Sequence, residues 1–369
     1  MSATLPIPWA HFAKVPGAEA LHLEPASRYD SSPPALHGFR PADGGQAREF
    51  LSVIARPEVP CRPEALLLFR DALVLDGSYV VSREGVAVRE SYYNVPVDAA
   101  LAERQAWQLS RIAAGDVATL PASGPPVVAL FLQDCNNFGH ILAEMLPRLL
   151  HLEAAGIREM RLLLPQAAEP FRPVIGFALQ ALGLRAELVA CPEGSILRVP
   201  ALHWPSLVGE GWFKSPTVRR LFARLRDAAP EAGMAERVFV ARPSTGRRVV
   251  TNADAAAEIA AAAGYLVVEP SALPFAEQVA LFAGARRVVG AFGAALTLTG
   301  FMAPGERVGT IGPGYCDYFY WDLACLTGLG FDWGFAAPVE RFRRGMLDEP
   351  ITLPLGMVRR MVKEESSFF

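Results

Sequence analysis

Three stretches of the chain carry side chains whose types and spacing can do chemistry. In the first, an apolar run from Val127 to Leu132 is followed by Asp134, Cys135, Asn136 and Asn137, then by FGHILAEMLPRLLHL. His140, Glu144 and Arg148 recur every fourth residue, which puts them on one face of a helix, while Ile141, Leu142, Met145, Leu149 and Leu150 supply the apolar remainder. Asn137 stands where a side-chain oxygen can cap the orphan amides of the first turn, and Pro147 is expected to kink the helix. Two readings fit this pattern. Glu144 can pair with His140 and Arg148 on a solvated surface, for roughly 0.2–0.5 kcal/mol per pair. Alternatively Glu144, or failing it His140, can take a proton from a hydroxyl, because a general base needs a tunable pKa at a cleft.

The second stretch begins with Arg242, at the end of the apolar run RVFVA, and continues through Arg247 and Arg248 to Asn252. Arginines at the carboxyl end of a strand can neutralise a diphosphate; adjacent charges can equally form a solvated surface run. Asn252, followed by Ala253 and Asp254, has the context of a helix N-cap. The third stretch is GAFGAALTLTGF, residues 290–301, in which Gly290, Phe292, Gly293, Ala294 and Ala295 lie between a strand and a short helix. Such a loop lets backbone approach an anion at a helix start, or simply lets helix and sheet pack closely. With glycines at 290 and 293 it is not the G-x-G-x-x-G fingerprint, and no acid ends a strand about 20 residues later, which disfavours a nicotinamide reductase. A charge-assisted hydrogen bond from arginine contributes roughly 1.5–3 kcal/mol against roughly 0.3–1 for an exposed helix terminus, so Arg242 and Arg248 should outweigh the loop in holding phosphate. Glu269, closing YLVVE before Pro270, can accept from ribose hydroxyls or face water.

These residues must be positioned by regular elements. Residues 1–60 are rich in proline, glycine and small polar residues and read as an irregular lead-in, and 65–95 as a meander of hairpins broken by Asp-Gly and Glu-Gly. Apolar strands then alternate with helices: 127–132, 160–165 and 186–190 in one series, and 237–241, 265–269, 286–290 and 307–312 in a second. This implies α/β architecture with two Rossmann-like parallel sheets, each carrying ligands at its strands' carboxyl ends. The domains expected are 61–210 and 235–335, joined by a basic amphipathic helix within 211–234, with a weakly patterned tail from 336. That helix, with Trp204, Trp212 and Phe213 near it, can pack between domains or rest weakly on a membrane surface.

Composition narrows the classes. At 51% hydrophobic and 20% charged residues, 369 residues suffice for two ordinary cores, and a net charge of -3 provides no field for nucleic acid. The six histidines do not cluster with acids at ligand spacing and no D-x-D occurs, so no metal is expected. Five cysteines without a CxxC pair read as reduced, buried thiols, and the start MSATLPIPWAHFAK lacks a leader pattern, so a cytoplasmic location is expected.

The succession NFGHILAEMLPR (137–148), Arg242 with RVVTN (248–252), EPSALPFAEQVALF (269–282), VVGAFGAALT (288–297) and FMAPG (301–305) resembles the motif order of glycosyltransferase family 61, the DUF563 family, over roughly 125–330. The resemblance implies a GT-B fold and inverting, metal-independent transfer from a nucleotide sugar to a glycan or lipid-linked acceptor, as in polysaccharide or glycoconjugate synthesis. By position it makes Glu144 the base with His140 beside it, sets Asn137 and Arg148 on the acceptor side, and gives the donor Arg242, Arg248, Asn252, Glu269, Gly290, Phe292, Gly293, Ala294 and Ala295. Where the family commonly has G-x-H-G-A and a later asparagine, this chain has Phe292 and Leu298. A member that binds nucleotide or glycan without turnover is the alternative, and Phe292 can stack on a ligand or fill core space.

Overall fold

The computed structural model describes residues 5–92, 95–211, 213–231, 235–242, 249–343, 346 and 348–363. It is a mixed α/β protein of two compact units. Met1–Ala26 and Arg62–Val208 form the first, Ser27–Cys61 and Gly209–Phe369 the second.

The first unit is built on a ten-stranded sheet. Four of its strands run parallel in the spatial order Arg185–Cys191, Glu159–Pro165, Val127–Ala129, Ile196–Pro205. Beyond Ile196–Pro205 the sheet continues antiparallel through Glu64–Leu75 and Tyr79–Val81, a hairpin whose tip Asp76-Gly77 takes the left-handed conformation at both residues, as an Asp-Gly turn favours. The open parallel sheet expected for this half is therefore only a parallel quartet, extended by the meander. The sheet also curls: a Cβ on Gly77, at the hairpin tip, would lie 2.6 Å from the Cβ of Cys191, the last residue of the far strand. One core accordingly gathers Phe69 and Val74 from the hairpin with Val127, Leu163 and Cys191 from the quartet.

The second unit is a six-stranded sheet, parallel throughout, in the order Leu266–Val268, Arg237–Val240, Arg287–Ala291, Arg307–Gly312, Gly330–Phe335, Ala35–His37. Segments read as irregular prove integral to it. Ala35–His37 adds the sixth strand, and helix Gly44–Ile54 buries Phe50 and Ile54; three residues after two prolines are too few to display a period. The tail supplies helix Leu355–Lys363, whose Met357, Val358, Met361 and Val362 are buried against Phe239, Val289 and Ile311. Gly334 makes room for it, since a Cβ there would lie 2.6 Å from the Met357 sulfur.

Helix Pro216–Asp227 turns Val218, Leu221, Phe222 and Leu225 inward, and the Phe222 ring packs 4.7 Å from that of Phe301. With that stripe buried in the second unit, the helix has no apolar face to offer a membrane. Of the aromatics grouped with it, Trp204 is fully buried in the first unit, Phe213 is half-buried, and Trp212 lies outside the described residues. No helix among the described residues is long and apolar enough to cross a membrane.

Two buried charge clusters brace the second unit. Asp332 accepts from Arg287 at 2.7 Å and from Arg307 at 2.6 and 2.8 Å, with His37 at 3.4 Å, and the guanidiniums hold its carboxyl well below the usual carboxylate range against the opposing effect of burial. Asp322, wholly buried, accepts from the Tyr29 hydroxyl, from the Lys214 amide at 3.0 Å and from its ammonium at 3.4 Å; burial nevertheless pushes its carboxyl up. The five cysteines are free thiols, three buried and two half-buried, and burial pushes Cys135 up to about 12, which makes it a poor nucleophile.

Candidate active site

In each unit the chain order reverses next to one strand, and the carboxyl end of that strand is where open α/β sheets hold ligands. In the first unit the chain builds outward from Val127–Ala129 through Glu159–Pro165 to Arg185–Cys191, then returns to place Ile196–Pro205 on the other side. The helix carrying His140 and Glu144 follows Val127–Ala129 directly. Asn137 opens it as expected, its side-chain oxygen accepting from the Gly139 amide at 2.8 Å.

The helix does not stay regular. Pro147 has no N–H to continue the α ladder, and the chain responds by widening: Leu146 donates to Ile141, five residues back, so Ile141–Met145 is a π turn, followed by a 3₁₀ turn over Leu146–Arg148. The kink expected at Pro147 is absorbed in this way. Within the turn His140 Nδ1 and Glu144 Oε2 are 2.8 Å apart, with side chains 24% and 16% exposed, while Ile141, Leu142, Ala143 and Met145 are buried. The pair thus presents a carboxylate and an imidazole to solvent from an otherwise buried turn.

Arg148 departs from the expected stripe. The π turn rotates every later residue off the His140–Glu144 face, and the guanidinium ends wholly buried, donating to the carbonyls of Leu130, Pro205 and Ser206 and lying 4.9 Å over the Trp204 ring. Burial presses its pKa below the usual arginine range. An arginine with no exposed surface cannot meet an acceptor; it ties the helix to the ends of two strands. Three residues on, His151 Nε2 meets the buried Glu64 carboxylate at 2.7 Å and braces the same helix.

In the second unit the reversal falls between Arg237–Val240 and Arg287–Ala291, which are parallel neighbours. Their carboxyl ends lead into Arg242 and into the Phe292–Gly293 loop, so two of the three stretches singled out by sequence meet here. Arg242 donates to the Phe292 carbonyl at 2.5 Å and lies across Gly293 so closely that a Cβ there would be 2.0 Å from its Nη1. Gly290 is small because a Cβ would lie 2.9 Å from that of Val240 on the neighbouring strand; its part is strand packing. Ala294 and Ala295, half-buried, open the helical turn Ala294–Phe301. A charged fork beside an open helix start suits a phosphate oxygen.

Two of the residues assigned to the donor have other work. The Phe292 ring is fully buried, edge-on to Tyr320 at 4.8 Å and stacked over Trp333 at 6.4 Å, so it fills core and has no face for a ligand. Asn252 uses its whole amide on the backbone of Leu353, donating at 2.8 Å and accepting at 2.9 Å, and neither caps its helix nor reaches the loop. Glu269 is exposed at the end of edge strand Leu266–Val268, accepting from Ser271 at 2.8 Å. Arg247 and Arg248 lie outside the described residues. Among the described residues no three His, Cys, Asp or Glu side chains come together as metal ligands. The braces around Glu64, Asp322 and Asp332 had no signal in the sequence, because each joins residues 25 to 295 positions apart.

Comparison with curated proteins gives no match. The family model described as Glycosyltransferase 61 matches residues 138–309, a span that starts one residue after the Asn137 cap and runs into strand Arg307–Gly312. That span holds both carboxyl-end sites, and over it the chain is similar to the glycosyltransferases of family 61.

Proposed function

We propose that the chain transfers a sugar, with inversion and without a metal, from a nucleotide sugar to a hydroxyl of a glycan or lipid-linked acceptor, in the manner of polysaccharide or glycoconjugate synthesis and with a GT-B arrangement. The observation that carries this reading is the His140–Glu144 pair, 2.8 Å apart and part-exposed at the carboxyl end of Val127–Ala129. Glu144 takes the acceptor proton and His140 orients its carboxylate. The freed oxygen attacks the anomeric carbon as the bond to the diphosphate oxygen breaks, and the electron pair leaves with the nucleoside diphosphate. Arg242 and the amides opening Ala294–Phe301 stabilise that departing charge, the work a divalent cation does in other transferases. Glu269 accepts from the ribose hydroxyls in this reading.

A thermal-shift panel of nucleotide sugars, followed by transfer assays on each hit, tests the reading. Glu144→Gln should lower turnover by about 10²–10⁴ while keeping donor binding. Near-normal turnover in that variant removes Glu144 as the base, and a donor that binds without turnover in the wild type turns the reading into a silent binder.

A further inference from the structure

At the opposite end of the six-stranded sheet from Arg242 lies a cavity of about 620 Å³. Arg237, Arg359 and Lys363 stand around it, over a floor that includes Ile259, Ala263 and Val362. Arg237 is the first residue of its strand and pairs in register with Arg287, also the first of its own, which fixes the cavity at the amino ends of the strands. All three cations are exposed, and among the described residues none of them forms an ion pair.

Two helices, Ala253–Ala262 and Leu355–Lys363, end here, and cations at helix carboxyl ends have a ready explanation in the helix dipole. Each such end carries about half a negative charge, so two ends offset about one of the three positive charges. About two remain unanswered. The volume lies within the roughly 300–1,000 Å³ of small-molecule sites, and cations above an apolar floor are the chemistry of an amphiphilic anion.

We infer that this cavity binds an organic phosphate, its anionic head among Arg237, Arg359 and Lys363 and its apolar body on Ile259, Ala263 and Val362. The head is supplied either by a soluble phosphate ester or by an anionic lipid. The site is separate from the donor loop, although the strand that begins at Arg237 ends two residues before Arg242.

The test uses the full chain with Arg242→Ala, so that the donor loop does not contribute. Phenyl phosphate and inorganic phosphate are titrated by calorimetry, and vesicles of phosphatidylcholine, with and without phosphatidic acid, are sedimented with the protein. Phenyl phosphate should bind at least about tenfold more tightly than inorganic phosphate because of the apolar floor. The added charge reversals Arg359→Glu and Lys363→Glu, both on an exposed helix face, should abolish that binding. Vesicle binding that needs phosphatidic acid and is lost in the same variant, without phenyl phosphate binding, assigns the lipid source and also supports the site. Equal binding with and without the charge reversals, or no binding of any probe, overturns the inference. Because Arg242 is absent throughout, these outcomes are independent of the proposed transfer reaction.

Discussion

Replacing Gly293 with alanine tests the proposed donor loop in one step. The backbone at Gly293 is extended, with φ 175°, so alanine is accepted there without strain, and the added Cβ clashes with the guanidinium of Arg242, 2.0 Å from Nη1, while the next neighbour, the Ala291 carbonyl, stays at an ordinary 3.8 Å. The tip of a long side chain is the cheapest thing to move, so the fold should persist while Arg242 loses its place over the loop and its bond to the Phe292 carbonyl. If Arg242 makes one charge-assisted hydrogen bond to the diphosphate, the loss is about 1.5–3 kcal/mol, or roughly 10- to 150-fold in affinity. Calorimetry with the nucleoside diphosphate found in the donor panel measures this, with circular dichroism as the control for folding. Arg242→Ala should weaken binding by a similar factor, and the double variant should be no weaker than either single one, because both remove the same contact. Unchanged affinity in Gly293→Ala, or additive losses in the double variant, would refute the assignment of Arg242 to the phosphates.

Three further outcomes follow from the same geometry. Arg148→Ala strands buried carbonyls of Leu130, Pro205 and Ser206, which at about 1–3 kcal/mol each should lower the melting temperature by about 6–12 °C or more; an acceptor KM effect with unchanged melting would restore it to the acceptor side. Asp332 has a folded-state pKa depressed by Arg307, His37 and Arg287, so its stabilisation is complete above the unfolded carboxylate value of about 3.9 and is lost as pH falls below that. Chemical denaturation between pH 3 and 7 should therefore show an acid-side loss in the wild type that Asp332→Asn, less stable at neutral pH, does not share. Transfer activity should survive EDTA unchanged, and loss of activity that Mn²⁺ or Mg²⁺ restores would replace Arg242 by a cation as the main support for the leaving diphosphate.

Much of the frame was legible in the residues themselves. Apolar runs alternating with helical periods announced the parallel strands, because burial on both faces demands continuous apolar sequence. The four-residue spacing of His140 and Glu144, the Asn137 cap and the Asp76-Gly77 turn each depend only on near neighbours in the chain, and each appears in the structure. Pro147 was visible as a disturbance, but whether the chain would bend or widen around it depended on what the following residues had to reach.

The remainder was decided in three dimensions. Arg148 turned inward because strand ends 18 and 57 residues away presented carbonyls to its guanidinium. Asn252 left its cap for Leu353, 101 residues on, and the Phe292 ring joined Tyr320 and Trp333. Ala35–His37 became a strand only because Gly330–Phe335 offered it an unpaired edge. Local pattern follows from which residues lie one turn or one pleat apart. The fate of a buried donor, acceptor or ring depends on partners that only the order of strands in a sheet brings within 3 Å.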